Sequence, residues 1–276
     1  YCTYCIIPYV RGGIRSRAPE AIAAEAKRLA AAGFSELVLT GIHLTSYGRD
    51  LPNATLLDAV RACDVPGVSR IRLGSLEPVI VTADFSARLA EEKKLCPQFH
   101  LALQSGSDSV LQRMRRRYTT DEFRRACALL RAAFPGCAVT TDVICGFPGE
   151  TEAEFQETLA FCREIGFARM HVFPYSARQG TKAAVMPGQV PKAVREERTR
   201  RLIAVGEELS RVFREQMVGR IYDVLAEESA GSDARGYTPQ YVDCVYPGGV
   251  PGRTDSVRIT GLTEDGVRGV RAGSAS

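Results

Sequence analysis

The chain has 276 residues and a mass of 30.1 kDa, with 45% hydrophobic and 25% charged residues. This composition excludes a disordered or collagen-like chain and supplies enough apolar side chains for a sizeable core. No apolar run in the sequence reaches the roughly 18 residues of a membrane helix, and no signal-type segment follows Tyr1. We therefore expect a soluble, cytoplasmic protein that makes no membrane contact. A net charge of +4 neither demands nor excludes a polyanionic partner.

The alternation of helix-like and strand-like segments is the main organising signal between residues 20 and 176. Strands are predicted at residues 36–40, 70–75, 99–104, 138–144 and 170–173, with helices such as residues 20–32 between them. This rhythm is typical of a parallel sheet with helices packed outside. Polar or glycine-rich loops follow the strands, and in parallel α/β folds such strand ends bind ligands.

The composition changes after residue 186. Residues 192–218 read as one long charged helix across the barrel edge, and short β-type runs separated by Gly, Pro and Asp follow Gly219. The fold class is therefore α/β: an incomplete (β/α) barrel with a small, barrel-like all-β unit at its C-terminal end. The predicted divisions are 1–190 for the partial barrel, 191–218 for the connecting helix and 219–276 for the β unit.

Nine cysteines are scattered along the chain, an odd number that argues against a disulfide framework. Only Cys2 and Cys5 form a motif, a Cys-x-x-Cys pair that can hold a soft metal on one side of a loop. From the residues alone, a zinc knuckle, a redox dithiol, an iron–sulfur site and a chance pair all remain open. Zinc is disfavoured because His43, His100 and His171 are isolated, and redox exchange because Ile-Ile-Pro follows the pair.

The opening Cys-Thr-Tyr-Cys-Ile-Ile-Pro resembles the second half of the Cys-x-x-x-Cys-x-x-Cys signature of the radical S-adenosylmethionine (SAM) enzymes. Six further segments stand in the order in which the tRNA-modifying methylthiotransferases of that group carry theirs, and together they cover nearly the whole chain. These segments are Thr40-Gly41-Ile42-His43-Leu44, residues 70–78, Leu103-Gln104-Ser105-Gly106-Ser107-Asp108, Met114-Arg115-Arg116-Arg117-Tyr118, residues 142–151 and Phe173-Pro174-Tyr175-Ser176.

The resemblance implies a [4Fe-4S] cluster with Cys2 and Cys5 as two of its metal ligands and SAM bound at the open iron. The third cysteine of the motif falls two residues before Tyr1, so we expect the chain to begin inside the motif, with the first barrel strand upstream. In the family a second cluster in an N-terminal domain supplies the sulfur. We expect that domain to be absent and the chain alone to be unable to complete the reaction.

The resemblance also implies a set of side chains around SAM. Tyr4 lies beside the adenine, and Gly41 lets a backbone carbonyl approach the methionine amino group. The implied polar contacts are Ser75, Glu77, Gln104 and Arg116, and the implied walls of the adenosine are Ile144 and Tyr175. Each position also has a purely structural interpretation as a strand end, a helix start or a solvated helix end.

The three histidines are interpreted as satisfied core or loop residues, because no carboxylate partner is visible near them in the sequence. Among the branches of the family, the Gly-Ile-His-Leu and Ser-Leu-Glu-Pro forms are most similar to the one that converts N6-threonylcarbamoyladenosine-37 of tRNA to its 2-methylthio derivative. The alternatives are isopentenyladenosine-37, a ribosomal protein as substrate, and a non-catalytic RNA-binding relic. The implied partners are the tRNA anticodon region and an electron donor such as flavodoxin.

The β unit after Gly219 is similar in position to the TRAM domain with which the family holds RNA. Its net charge from Met217 onward is −2, which leaves a net charge of +6 on residues 1–216. Tyr237, Tyr241 and Tyr246 are candidates for base stacking, with core packing as the alternative.

Overall fold

The structure is a computed structural model that describes residues 2–273; Tyr1 and residues 274–276, the outer ends of the first and last predicted units, lie outside the described residues. Threonine capping boxes begin three of the helices, with Thr55, Thr119 and Thr151 at the N-cap. The helices within residues 2–273 are α1 (Ile7–Arg11), α2 (Pro19–Ala31), α3 (Leu56–Ala62), α4 (Ala83–Ala90), α5 (Asp108–Met114), α6 (Thr120–Ala133), α7 (Glu152–Ile165) and α8 (Lys192–Glu215).

The first five strands form the parallel part of the fold. They are β1 (Glu36–Leu39), β2 (Arg70–Leu73), β3 (Gln98–His100), β4 (Ala138–Cys145) and β5 (Arg169–Pro174). β1 pairs with β2, and β3 with β4 and β4 with β5, all in parallel, while single bridges such as Leu76 to Leu101 connect the two groups. The predicted incomplete α/β barrel is confirmed, with β3 shorter than expected: it ends at His100, and only single bridges at Leu101 and Gln104 continue its line.

The remaining strands close into a small barrel, as predicted. They are β6 (Ile221–Ala230), β7 (Asp233–Tyr237), β8 (Asp243–Pro247), β9 (Thr254–Leu262) and β10 (Val267–Arg271), in the order β10-β8-β7-β6-β9. Tyr246 is only 1% exposed inside this barrel and donates a hydrogen bond to Asp255, so it is a core residue. None of the helices in residues 2–273 is long and apolar enough to cross a membrane.

α8 joins the two parts of the molecule. Near its start the buried Arg198 donates to the carboxylate of Glu150 (Nη1 to Oε1, 2.8 Å), which also accepts from the backbone N–H of Gly146. Near its end Arg214 donates to the backbone carbonyls of residues 263, 264 and 266 in the β9–β10 hairpin. A guanidinium at each end of the helix therefore fixes the loop after β4 and the small barrel to the same element.

The small barrel docks on the inner face of β1 and β2 through two more buried arginines. Arg70 donates to the backbone carbonyls of Tyr237 and Asp223, and Arg72 donates to that of Pro239 (3.0 Å). Tyr241 stacks on Tyr237 at 4.7 Å between ring centroids and lies under the Arg72 guanidinium. These two tyrosines, candidates for base stacking, thus contact each other and the partial barrel.

Candidate cofactor site at the cysteine loop

The loop of residues 2–5 is held in place by its backbone. The N–H of Cys5 donates to the carbonyl of Cys2 (3.2 Å), which closes a turn that puts both thiols in one short loop. Thr3, at its centre, is buried; its N–H donates to the Met114 carbonyl and its carbonyl accepts from the N–H of Ala183. The loop is therefore clamped between the end of α5 and the short helix Lys182–Val185.

All nine cysteines, which lie within residues 2–273, are free. Cys2 and Cys5 are partly accessible, whereas the other seven are buried. Burial raises the pKa of thiols such as Cys96 to about 11, which keeps them protonated and unreactive. Accessible thiols that lie side by side are the form in which cysteines bind a metal cluster.

Arg116 is the residue that joins the cysteine loop to the sheet. It follows the left-handed C-cap residue Arg115, and its side chain is only 7% exposed, while Arg115 and Arg117 are exposed. Its Nη1 donates to the Cys2 thiol sulfur (3.1 Å), and its Nε donates to the hydroxyl of Tyr118 (2.9 Å). The interpretation as a solvated helix end holds for Arg115 and Arg117 and is wrong for Arg116.

Glu77 and His43 continue the chain of contacts. The Nη2 of Arg116 lies 3.0 Å from Glu77 Oε1, and His43 Nε2 lies 3.0 Å from Glu77 Oε2. The hydrogen bond from His43 is the main reason that the pKa of Glu77 is lowered; burial opposes it, and the charge of Arg116 adds to it. Glu77 is therefore an ionised carboxylate at neutral pH, held at the end of β2 with its backbone N–H donating to Thr45.

An apolar cluster lies beside this row of charges. Val110, Met114, Phe147, Tyr175 and Ala183 form a separate buried cluster, against which Tyr4 and Ile144 pack. Burial raises the pKa of Tyr4 despite the nearby Arg116 charge, so its phenol stays protonated. The structure therefore brings together the predicted Tyr4, Ile144 and Tyr175, as well as Cys2, Glu77 and Arg116.

Two buried polar atoms test whether this site fits SAM. The Nη2 of Arg116 has an ion-pair contact with Glu77 without an aligned hydrogen bond, and the Tyr175 hydroxyl has no partner among the described residues. Buried polar groups are ordinarily hydrogen-bonded, so each is a position where a ligand atom is expected. A guanidinium N–H suits the carboxylate of SAM, and a hydroxyl on an apolar wall suits its adenosine; the residues present fit SAM.

The other three predicted contacts are less closely tied to this arrangement. Gly41 is exposed, and a Cβ there would meet only ordinary contacts with Leu44, so the backbone does not require glycine. Ser75 is exposed in the loop after β2. Gln104 is buried and held in the left-handed region, a strain that for a residue other than glycine costs about 1–3 kcal/mol and is commonest at functional sites.

The sequence interpretation missed the carboxylate partners of two histidines. His43 pairs with Glu77, and His100 Nε2 lies 3.3 Å from Asp142 Oδ2. It also missed Tyr118, whose buried hydroxyl accepts from Arg116 and donates to the Leu103 carbonyl. The partners of the two histidines lie far away along the chain, so no local pattern signals these contacts. Tyr118 was marked only through the segment 114–118 as a whole.

Comparisons with known proteins agree with this geometry. The family model described as the Radical SAM superfamily matches residues 1–162, and the chain belongs to that superfamily. The coproporphyrinogen III oxidase HemN of Escherichia coli is similar in structure, with a TM-score of 0.54 at 15% identity over 86% of this chain and 64% of that one. The methylornithine synthase PylB matches with a TM-score of 0.52 at 18% identity, over 74% of this chain and 58% of that one. At these identities the likeness concerns the fold alone.

Within the superfamily the chain is similar in sequence to methylthiotransferases. The chain is 42% identical to threonylcarbamoyladenosine tRNA methylthiotransferase MtaB of Bacillus subtilis, over 90% of this chain and 56% of that protein. It is 40% identical to tRNA-2-methylthio-N(6)-dimethylallyladenosine synthase of Moorella thermoacetica, over 94% of this chain and 60% of that protein. The chain therefore spans little more than half the length of these relatives. Membership of the Radical SAM superfamily implies SAM and a [4Fe-4S] cluster as cofactors.

Proposed function

We propose that this chain is the radical SAM part of a tRNA methylthiotransferase that converts N6-threonylcarbamoyladenosine-37 to its 2-methylthio derivative. The observation that carries the proposal is the row from Cys2 through Arg116 to Glu77 and His43, at the carboxyl edge of the sheet. It stands in a chain 42% identical to a threonylcarbamoyladenosine tRNA methylthiotransferase. The dimethylallyladenosine synthases, at 40–43% identity, make isopentenyladenosine-37 the alternative substrate.

Each side chain then has a task in holding the cofactors. Cys2 and Cys5 bind two irons of the cluster, which when bound supplies the electron that cleaves SAM to the 5'-deoxyadenosyl radical. Arg116 donates its unpartnered N–H to the SAM carboxylate, and Glu77 accepts from the amino group. The adenosine is lined, and water is excluded from it, by Tyr4, Ile144 and Tyr175. The SAM site is completed by Gly41, Ser75 and Gln104.

The wider assignments follow from the same family. Residues 1–190 form the partial barrel, 191–218 the connecting helix and 219–276 a TRAM-like unit that helps to hold the tRNA anticodon region. A reductant such as flavodoxin supplies electrons, and a second cluster, which the methylthiotransferase relatives carry, supplies sulfur. An enzyme that modifies tRNA in this way works in the cytoplasm.

The experiment that tests the proposal is anaerobic iron–sulfur reconstitution of the full-length native protein, followed by an assay for 5'-deoxyadenosine from SAM with a reductant. We expect cleavage in the wild type, loss in Cys2→Ala and Cys5→Ala, and retention in Cys63→Ala, which removes a buried cysteine outside the site. Mass spectrometry of treated tRNA then identifies the methylthiolated nucleoside. A wild-type protein that binds iron and cleaves no SAM would overturn the enzyme assignment.

A further inference from the structure

A second polar row lies on the inner face of the sheet, away from the cysteine loop. Residues at alternate positions of a strand share a face, and the register of β4 with β5 sets them side by side. The pairs on this face, from the carboxyl edge downward, are Ile144 with Phe173, Asp142 with His171 and Thr140 with Arg169. The face therefore changes from apolar at the top to polar in the middle and basic at the bottom.

The middle and bottom of this row have unused hydrogen-bonding capacity. His100 is engaged on both nitrogens, by Asp142 at 3.3 Å and by the Thr140 hydroxyl at 3.1 Å, and Asp142 keeps 35% of its side chain exposed. Across residues 2–273 the side chains of His171 and Arg169 make no hydrogen bond or ion pair. Burial, with the nearby Arg169 charge, lowers the pKa of His171, so its imidazole is neutral at pH 7 and offers one donor and one acceptor.

The row begins at the cofactor site. Ile144 packs in the same apolar cluster as Tyr4 and Tyr175, and it lies on β4 two positions after Asp142. At about 3.3 Å per residue, Asp142 and His171 lie about 7 Å below that cluster and Arg169 about 13 Å below it. A ligand that lays a flat ring against Phe173, which is 50% exposed, extends its substituent along the row.

We propose that Asp142, His171 and Arg169 bind the N6-substituent of the target nucleoside and select threonylcarbamoyladenosine over dimethylallyladenosine. The inference rests on the proposed function and deepens it. The threonylcarbamoyl group carries a ureido N–H and a hydroxyl, which Asp142 and His171 bind, and a terminal carboxylate, which Arg169 binds. In the purine ring, C2 and C6, the carbon that bears N6, are bonded to the same ring nitrogen. When C2 faces the cofactor, the N6-substituent therefore lies along this face of the sheet.

The same row disfavours an apolar substituent. A dimethylallyl group against Asp142 and Arg169 would remove water from two charged groups without giving either a partner, which is unfavourable. Selectivity of this kind comes from the penalty on the wrong ligand as well as the contacts to the right one. A site that binds dimethylallyladenosine is expected to have apolar side chains at the positions of His171 and Arg169.

The test compares three anticodon stem-loop RNAs that carry threonylcarbamoyl, dimethylallyl or no modification at the target adenosine. Their binding to the full-length native protein is measured by fluorescence anisotropy. We expect the wild type to bind the threonylcarbamoyl RNA at least about tenfold more tightly than the other two, the range of one charge-assisted contact. Arg169→Gln should remove this preference, because it weakens binding of the threonylcarbamoyl RNA more than binding of the other two.

The matched control is Arg163→Gln, which changes an exposed arginine on α7 that also makes no hydrogen bond or ion pair among the described residues. It should keep the preference. Equal wild-type binding of the three RNAs, a preference for dimethylallyl, or a preference that survives in both Arg169→Gln and Asp142→Asn would overturn the inference and leave SAM cleavage untouched. Failure to bind any of the RNAs would overturn both this inference and the tRNA assignment.

Discussion

Buried arginines lie at two places on the parallel sheet, and their surroundings differ. On the inner face of β1 and β2, Arg70 and Arg72 share the carboxylate of Glu36 and donate to backbone carbonyls of the small barrel. At the carboxyl edge, Arg116 contacts the Cys2 thiol and keeps one N–H without a hydrogen-bond partner. All three side chains are 7% exposed or less, so burial alone does not distinguish them.

The difference distinguishes an arginine with a structural role from an arginine that binds a ligand. A buried guanidinium whose donors all reach carboxylate or carbonyl oxygens holds two parts of a fold together, and removing it leaves charges unpaired. A buried guanidinium with a spare donor beside reactive thiols has stability to gain from a bound anion. Replacing an arginine should therefore lower the stability of the fold on the inner face of β1 and β2, and ligand affinity at the carboxyl edge.

The largest effect is expected where the small barrel docks on the inner face of β1 and β2. Arg72→Met leaves Glu36 partly unpaired in a buried position and removes the contact to Pro239, so we expect a loss of about 3–5 kcal/mol in the free energy of unfolding. Urea denaturation measures it. Arg235→Met, which breaks an exposed pair with Asp243, is the control and should cost about 1 kcal/mol or less. Equal losses in the two variants would contradict the structural role.

The next effect concerns the carboxyl edge. Arg116→Met should weaken SAM binding to the reconstituted protein by about 10- to 100-fold, because one charge-assisted hydrogen bond is lost. Equilibrium dialysis with labelled SAM under anaerobic conditions measures this. Arg117→Met, which changes the exposed neighbour, should leave the affinity unchanged. If Arg116→Met binds SAM like the wild type, the assignment of its spare donor to the SAM carboxylate is wrong.

The smallest effect is a pH dependence of stability at Glu77. Its folded-state pKa is lowered from 4.5, so its ion pairs stabilise the fold above that pH, and this contribution is lost as pH falls through the folded pKa. Urea midpoints of the wild type and Glu77→Gln should therefore differ most at neutral pH and converge in acid. A constant difference between pH 7 and pH 3 would show that Glu77 acts through packing rather than charge.

Much of the architecture was predictable because its signals are local. Hydrophobic periodicity located the five parallel strands, and turn residues after Gly219 indicated the closed β barrel. The Cys2 and Cys5 pair was likewise visible as a short motif. These features depend on residues a few positions apart, whose conformational preferences the chain carries without help from distant segments.

Only the tertiary structure decided which polar side chains meet. Arg115, Arg116 and Arg117 are alike in sequence, yet the left-handed turn at Arg115 buries only the middle one, whose partner Cys2 lies 114 residues away. The pairing of His43 with Glu77 and the assembly of Asp142, His171 and Arg169 depend in the same way on which strand ends and faces the sheet brings together. The sequence by itself determined the elements and the cysteine motif, whereas the closure of the chain onto itself decided the site, because long-range contacts form only when the whole sheet is assembled.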